Sequence, residues 1–445
     1  MSLKNQILMV LILAFTGLNA QEKKQRFKNS FNASLVVATD ISYEFNSREL
    51  QKSELFVKPE FSYKINKNSR VVLKGQIYTD LNDNLEEGNP KDETASDFSK
   101  RLFIGDRTNI ELREFYLYTK LFKKIRLTLG KQQIVWGETD GLKLLDVINP
   151  QNFREFILDD FEDSRIPLWS VKAEFDIKNI GVQFVWIPDN TYHITQNFDA
   201  PFFTKSLFQS PPEGISTKFN TTIKPTRFIA DSDIGLKLST FTKGWDLSLN
   251  YFYYYDDLPV FYSNLQFSDT QEPFVFISPK FERQHLVGGT FNKVYSSSTF
   301  RGEIAYIFDQ NFTSIDPNAI HGIETSNVYR SAIGIDYIKG ESVISAQLFS
   351  DIITGDISPF NRDDFETNTS LLISQEMMND NLKMEVLWVH NMNHGDGFIR
   401  PNLSYWLNTN TQLFFGSDLF YGNKTKLFGQ FKDRSRISFG VRWGI

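Results

Sequence analysis

Cysteine is absent from this 445-residue sequence, and histidine occurs only five times. The absence of cysteine excludes a disulfide framework, a thiol nucleophile and a lipid-modified cysteine. Neither sign of charge is in large excess, since the formal net charge is −6. A mildly acidic chain is not expected to bind nucleic acid, which requires a basic surface.

Long apolar runs are also missing beyond the first residues. Lys4 is followed by the apolar run Ile7–Phe15 and then by Gly-Leu-Asn-Ala, which ends at Ala20. This order is typical of a secretory signal peptide that is cleaved after Ala20, and the run is too short for a transmembrane helix. A retained anchor helix is the alternative. No later run approaches the ~20 apolar residues of a spanning helix, so an exported chain of this kind crosses a membrane only with strands.

Aromatic residues, in contrast, are abundant, at 15% of the sequence. They stand mostly in segments where apolar and polar residues alternate, the pattern of a strand with one apolar face. Several of these segments reach the roughly 9–11 residues that a tilted strand needs to cross a bilayer. The clearest examples are Phe31–Phe45, Trp169–Ile177, Trp245–Tyr253, Leu382–Val389 and Arg436–Ile445.

Short and long connections alternate between these segments. Tight turns rich in Asn, Gly and Lys are predicted near residues 66–69, 122–124, 178–179, 242–244, 339–341, 379–381 and 408–410. Long polar segments are predicted near residues 82–109, 137–166, 189–232, 256–278 and 309–326. This alternation is typical of transmembrane barrels with short periplasmic turns and long extracellular loops. We therefore predict an all-β, antiparallel transmembrane barrel of about eighteen strands, with sixteen as the alternative count.

The predicted organisation is a signal peptide over residues 1–20, a short periplasmic lead-in over residues 21–30 and the barrel over residues 31–445. A soluble, secreted all-β protein is the alternative. The wall facing the lumen carries both signs of charge, as in Lys172 and Glu174 on one strand. A mixed wall implies no strong ion selectivity.

No motif predicts a cofactor, a metal site or a catalytic centre. His390 and His394 flank Asn-Met-Asn in a predicted loop, without the glutamate and helix that a zinc site of this spacing uses. The acidic segment Asp159–Ser164 does not have the spacing of a calcium loop, so a solvated acidic loop is the preferred interpretation. We expect no enzyme and no bound cofactor.

The segment Arg113–Arg165 carries a set of motifs in a fixed order. Gly130-Lys131-Gln132 is followed by Trp136-Gly137-Glu138 and then by Asn149-Pro150. In this respect the chain resembles the alginate-export-like group of Gram-negative outer-membrane porins. The resemblance implies a monomeric barrel of eighteen strands, loops that narrow the lumen and passage of a solute without energy input. Alginate porins line their pore with an excess of arginine, whereas this wall is mixed, so a polyuronate substrate is not implied.

These observations predict a porin-like channel for small or oligomeric polar solutes, embedded in outer-membrane lipid and lipopolysaccharide. The alternatives are a barrel that transports hydrophobic compounds with other envelope components, and a structural or adhesive surface barrel. The residues expected to line the constriction are Arg113, Glu114, Lys131, Gln133, Glu138, Arg154 and Arg165.

The run Lys131-Gln132-Gln133 needs a local explanation, because Leu127 and Leu129 set a phase that would place Lys131 in lipid. A β-bulge at Gly130 would invert the phase and turn Lys131 and Gln133 into the lumen. It would leave Gln132 facing outward. Unbroken pairing through Gly130 is the observation that would contradict this hypothesis.

Overall fold

The computed structural model describes residues 30–90, 93–139, 141–207, 215–267, 272–359 and 362–445. The predicted signal peptide and nearly all of the predicted lead-in, residues 1–29, lie outside the described residues. Among the described residues, no helix is long and apolar enough to cross a membrane.

Strands dominate the described chain. In chain order the first eleven are β1 (Phe31–Glu44), β2 (Leu50–Lys64), β3 (Ser69–Asp80), β4 (Leu102–Phe103), β5 (Thr108–Leu121), β6 (Ile125–Gln132), β7 (Leu168–Ile177), β8 (Ile180–Ile187), β9 (Ser216–Phe219), β10 (Asp233–Thr242) and β11 (Trp245–Tyr255). The other eleven are β12 (Val260–Phe267), β13 (Pro273–Lys280), β14 (Arg283–Tyr295), β15 (Ser298–Thr313), β16 (Ile323–Lys339), β17 (Ser342–Ile353), β18 (Phe365–Met377), β19 (Leu382–Asn391), β20 (Gly397–Asn408), β21 (Thr411–Tyr421) and β22 (Arg436–Gly444). One helical turn, α1 (Phe161–Ser164), and three short 3-10 turns, at Lys205–Leu207, Ile320–Gly322 and Gly429–Arg434, complete the elements.

Eighteen of these strands form one closed antiparallel barrel. Each pairs with its neighbour in the chain, and β1 closes the barrel against β22 over the register Val36↔Gly444 to Glu44↔Arg436. The predicted fold and strand number are therefore confirmed. The remaining strands lie in the long connections, where β13 pairs with β12 and, in parallel, with β9 to form a separate three-stranded sheet.

Side chains alternate across the barrel wall as the bilayer requires. In β15, Phe300 and Ile304 point outward and are 45% and 43% exposed. Glu303 and Ala305 of the same strand point into the lumen and are almost completely buried. The burial of these two lumenal side chains shows that another part of the chain covers this stretch of the wall inside the barrel.

The seven predicted tight turns occur where the sequence predicts them, all at one end of the barrel, but the turn between β14 and β15 at the same end was not predicted. β1 begins and β22 finishes at this end as well. The predicted bulge at Gly130 is wrong. Pairing runs without a break from Leu121↔Ile125 to Phe115↔Lys131, and on the other side from Arg126↔Glu174 to Gln132↔Leu168. The irregularity lies in the preceding strand, β5, where it pairs with β3. Lys74 pairs with Glu114 but Gly75 pairs with Leu112, so that Arg113 is the extra residue.

Candidate functional site: a loop across the lumen

The connection between β6 and β7, residues 133–167, does not extend outward from the barrel. It crosses the lumen, and we refer to it as the inner loop. Glu155 of the inner loop contacts Lys52 of β2, at 2.9 Å. Leu145 packs against Gly288 of β14, where a Cβ atom would stand 2.5 Å from a leucine methyl group. Because β2 and β14 lie on opposite sides of the eighteen-strand ring, the inner loop bridges the barrel.

The Trp136-Gly137-Glu138 motif marks the entry of the chain into the lumen. Trp136 is 1% exposed, lies edge-to-face on Phe252 at 5.7 Å and donates its indole N–H to Gln183 at 2.7 Å. Gly235 makes room for this ring, because a Cβ there would stand 2.7 Å from the indole. An indole that is buried with its N–H bonded fixes the direction in which the chain leaves β6.

A single wall carboxylate holds the first part of the inner loop. Glu303 of β15 accepts the backbone N–H groups of Glu138, Thr139 and Leu145, the last two at 2.8 and 2.9 Å. The backbone carbonyl of Glu138 accepts a hydrogen bond from Arg301 of the same strand. Backbone groups that leave a sheet need such partners when they are buried. Side chains of the wall therefore provide hydrogen-bond partners for backbone groups of the inner loop that are no longer paired within the sheet.

Two apolar clusters anchor the inner loop to the wall. The first joins Leu144, Leu145 and Ile148 to wall residues of β8, β11 and β14–β17. The second joins Phe156 and Leu158 to wall and loop residues that include Phe398, Phe420, Phe428 and Phe431. Each large apolar side chain that is fully buried contributes about 1.5–3 kcal/mol. The inner loop is thus a packed part of the fold.

A network of buried ion pairs fixes the second part of the inner loop. Its centre is Glu155, which is 1% exposed and contacts Lys52, Arg436 and, at 3.3 Å, Arg154. We call it the anchor network; its four cations and four anions are Lys52, Arg154, Arg400, Arg436, Asp40, Glu54, Glu155 and Asp418. Burial alone would raise the pKa of Glu155, but the three cations together hold that pKa well below its usual range.

Asp159 lies beside the anchor network but forms no ion pair with any of its four cations. Burial, and then the Glu155 carboxylate, raise the pKa of Asp159 to about 7, against the opposing effects of Arg154 and Lys52. A carboxyl group in this environment changes its charge near neutral pH. The charge of the inner loop therefore depends on pH in the physiological range.

Two of the seven predicted residues converge on α1. Arg113 donates to the carbonyl oxygens of Glu162, Asp163 and Arg165 at 3.0, 3.1 and 2.7 Å. Gln133 donates to the same Glu162 carbonyl at 3.0 Å. The last carbonyls of a helix have no partner within the helix, so these donors hold the turn in place. The extra residue in β5 is the reason that Arg113 reaches it.

The other predicted residues have separate positions. Arg165 is bound through its side chain to Asp146 at 2.7 Å, and Glu114 pairs with Lys74 at 3.1 Å. Arg154 belongs to the anchor network. The Glu138 side chain accepts a hydrogen bond from Thr290 of β14 at 3.3 Å, six strands round the barrel from Glu114. The seven residues therefore do not form one ring.

Lys131 and Gln132 depart most from the prediction. The register places Lys131 between Phe115 and Trp169, and its side chain is only 1% exposed. Gln132, which was expected to face outward, is buried and donates to the carbonyl oxygens of Thr128 and Ser170. Gly130 allows this arrangement with a φ of 127°, a conformation that favours glycine.

Two cavities lie on either side of the inner loop. The first, of about 440 Å³, is lined by β11 and β14–β18 near their outer ends. The second, of about 480 Å³, is lined by β1, β2 and β18–β22 and extends to Gln412 and Arg442 near the turns. Both are lined by Gly141, Ile157, Asp159 and Phe161, so the inner loop separates them. A solute that traverses the barrel must pass this segment.

None of the seven predicted residues lines either of these two cavities. The sequence interpretation missed Lys52, Glu54, Glu155 and Arg436. Period-two alternation offered a signal for the wall members, because Lys52 and Glu54 share the phase of Lys58. No local signal marks Glu155, whose partners are distant in the chain.

Within the described part of the chain, no group of three or more His, Asp or Glu side chains is arranged to hold a metal ion. His193 lies against Phe153 at 4.9 Å, and its Nδ1 accepts the backbone N–H of Gln151 at 2.8 Å. Burial, assisted by Lys143, lowers the pKa of His193 to about 3, so the ring is neutral. In the acidic segment Asp159–Ser164, expected as a solvated loop, Asp160 and Glu162 are exposed, whereas Asp159 and Phe161 line both cavities.

Comparison with known proteins gives a family and a fold. Residues 14–443 match the family described as "Protein of unknown function (DUF1302)", and the chain therefore belongs to that family. None of the curated proteins compared matches the chain.

The fold is similar to that of solved outer-membrane porins. OccAB3 of Acinetobacter baumannii has a TM-score of 0.52 at 8% identity, covering 94% of this chain and 98% of that one. OccK8 (OprE) of Pseudomonas aeruginosa has a TM-score of 0.52 at 9% identity, covering 94% and 99%. OccAB1 of A. baumannii has a TM-score of 0.50 at 9% identity, covering 94% and 95%. At these identities the similarity establishes the barrel fold.

Proposed function

We propose that this member of the DUF1302 family is a passive outer-membrane channel for small or oligomeric polar solutes. The observation that carries the proposal is the pair of cavities on either side of the inner loop, with charged side chains in both linings. Barrels of 16–18 strands enclose an aqueous channel unless loops fold into it. Here the inner loop divides that channel and would select among solutes by size and charge.

The proposal includes the setting of the channel. The protein would act as a monomer in the outer membrane of a Gram-negative bacterium, in contact with lipid and lipopolysaccharide, after cleavage of the predicted signal peptide at Ala20. The alginate-export-like resemblance of residues 113–165 supports passive passage of an oligosaccharide-like solute. It does not extend to polyuronates, because the wall charges are mixed. We propose no catalytic activity and no cofactor.

A liposome-swelling assay tests this function. Liposomes that contain the folded protein should swell in small sugars and uronates, and the rate should fall steeply with oligomer length, because each cavity is only about 440–480 Å³. Liposomes with heat-denatured protein are the control. Absence of swelling in every solute would contradict the proposal.

Passage of hydrophobic compounds is a second candidate, favoured by the apolar part of the first cavity, which includes Phe153, Phe161 and Phe349. This alternative predicts a barrel that takes up a hydrophobic fluorescent probe and carries no steady ionic current. A steady single-channel current in a planar bilayer favours the polar channel.

A further inference from the structure

Acidic side chains outnumber basic ones around both cavities. The first is lined by five aspartates but only two basic residues, Lys143 and Arg330. The second is lined by eight acidic and five basic residues. Walls of low dielectric concentrate the field of such an excess in the passage between them. The charge balance of the constriction therefore differs from the mixed wall that the sequence indicates.

Two adjacent carboxyl groups in the first cavity form no ion pair with a Lys or Arg of the described residues, and Arg330 acts on Asp256 only at longer range. Asp256 accepts hydrogen bonds from the Gln284 amide at 3.1 Å and from the backbone N–H of Leu258 at 3.2 Å. Asp257 lies 3.7 Å from His193, which is neutral. Neither contact supplies a positive charge.

The two basic side chains of this cavity, in contrast, are already engaged. Arg330 pairs with Asp351 at 3.0 Å. Lys143 lies 3.6 Å from Asp146, contacts the Gln151 amide oxygen and stands 4.4 Å above the ring of Phe161. Their charges are compensated locally, so the carboxyl groups of Asp256 and Asp257 are the acidic groups without an ion pair that a solute meets.

A separate observation also indicates a donor-rich ligand. Asp146 lines the first cavity with a side chain that is 4% exposed, and its Oδ1 accepts no hydrogen bond from the described residues. The amide oxygen of Gln310, in the same lining, also accepts none. Buried acceptors without donors are costly. An ammonium group offers three donors and no acceptor, and so matches this lining.

The rest of the lining is apolar. Phe153, Phe161, Phe349 and Leu258 face the same space as the carboxylates. A cavity of about 440 Å³ falls in the range of pockets that hold small organic molecules, roughly 300–1,000 Å³. Its chemistry is thus an apolar surface with two carboxyl groups at one side.

We propose that the channel prefers positively charged solutes and that the first cavity accepts a small organic cation, an ammonium group joined to an apolar body. This inference rests on the proposed channel function and names its substrate class. The ammonium would lie against Asp256 and Asp257, and the apolar body against the phenylalanine rings.

The protonation of the two carboxyl groups is coupled to such binding. Burial raises the pKa of Asp256, and burial together with Asp256 raises that of Asp257 well above its usual range. A cation between them favours the ionised forms. Uptake of the cation should therefore release protons from the cavity and should weaken at acidic pH.

Reversal potentials in planar bilayers test the preference with two probes of matched size. A gradient of phenethylammonium chloride gives the permeability of the organic cation relative to chloride. A gradient of potassium 3-phenylpropanoate gives that of the organic anion relative to potassium. We expect the first ratio to exceed one by roughly tenfold and the second to be below one by a similar factor, the low end of the effect of focused fields.

Variants assign the preference to the proposed residues. The double variant Asp256→Asn, Asp257→Asn keeps the hydrogen-bonding shape and should lower the phenethylammonium ratio several-fold. The control Glu341→Gln removes one exposed carboxylate at a turn outside the lumen and should leave it unchanged. Heat-modifiable migration in gels confirms that each variant is folded.

The outcomes separate the two proposals. Absence of any steady current would overturn the channel function itself. A steady current with equal permeability of both probes, or a preference for the anion, would overturn only the present inference, as would an unchanged ratio in the folded double variant.

Discussion

Replacement of Glu155 by glutamine should loosen the inner loop without disturbing the barrel. Glu155 is almost completely buried and is shared by Lys52, Arg436 and Arg154. Its neutral replacement leaves these buried cations with one anion fewer. Removing one partner of a buried ion pair costs about 3–5 kcal/mol. Since each 1.4 kcal/mol is a factor of ten, the equilibrium between docked and released loop should shift by roughly 10²- to 10⁴-fold.

Single-channel recording measures this shift. The wild-type protein should give a steady, small conductance, whereas Glu155→Gln should give larger and fluctuating conductance, because the released segment no longer separates the two cavities. The apolar clusters remain, so complete opening is not expected.

Asp163→Asn is the matched control, since it makes the same chemical change in the same loop. Asp163 pairs with Lys58 at 2.6 Å, but the two side chains are 41% and 30% exposed. Exposed pairs contribute only about 0–1 kcal/mol, so this variant should conduct like the wild type. Equal conductance of the wild type and both variants would refute the idea that the anchor network holds the loop.

Three further predictions concern packing, backbone conformation and pH. Trp136→Ala should lower the free energy of unfolding by about 3–5 kcal/mol through loss of a buried ring, whereas Val135→Ala, at an exposed position, should change the thermal midpoint little. Gly130→Ala should destabilise more than Gly105→Ala, because both have positive φ but only at Gly130 would a Cβ collide with a neighbouring strand; heat-modifiable gel migration measures both. The permeability ratio of potassium to chloride should rise between pH 5 and pH 8 as Asp159, whose pKa burial raises to about 7, becomes ionised; a reversal-potential series should show a midpoint near 7 that Asp159→Asn removes.

Controls and contrary outcomes follow from the same residues. A Trp136→Ala protein as stable as Val135→Ala would show that the indole does not anchor the entry of the loop. Equal migration of the two glycine variants would show that the loss of stability comes from the positive φ alone and not from a collision of the Cβ atom. A ratio that falls with rising pH would contradict the position of Asp159 in the constriction.

The raised pKa of Asp159 also affects folding stability. The folded state holds the proton of this acid more tightly than the unfolded chain does, so the stability that it contributes at acidic pH is lost as pH rises through 7.

The strands and turns were predictable because their causes are local. Lipid on one face requires apolar and polar side chains to alternate along every strand, and a tight turn is determined by a few adjacent residues. The path of the inner loop was not predictable, because it depends on pairs such as Lys52 and Glu155, which are 103 positions apart in the sequence. The position of the β5 bulge was missed for a related reason. A glycine beside a polar run suggested an irregularity at Gly130, whereas the extra residue is Arg113, which is held by carbonyls of α1.

The distribution of charge indicates that the connections between strands, and not the strands of the wall, set the charge preference of the passage. The anchor network is balanced, with four cations and four anions. Among the remaining charges of the second cavity, Lys58 pairs with Asp163, and Glu385 pairs with Lys383.

What remains of the second lining is Asp159, Asp160 and Arg442, of which both acids belong to the inner loop. In the first cavity, Asp256 and Asp257 also lie in a connection beyond the end of β11. The wall thus provides a nearly neutral frame, and segments outside the strands carry the charge that a solute meets. Replacing both Asp159 and Asp160 by asparagine should therefore reduce cation preference more than replacing the paired wall residue Glu385 by glutamine. Equal effects would show that charges of the wall contribute as much to the selectivity as those of the inner loop.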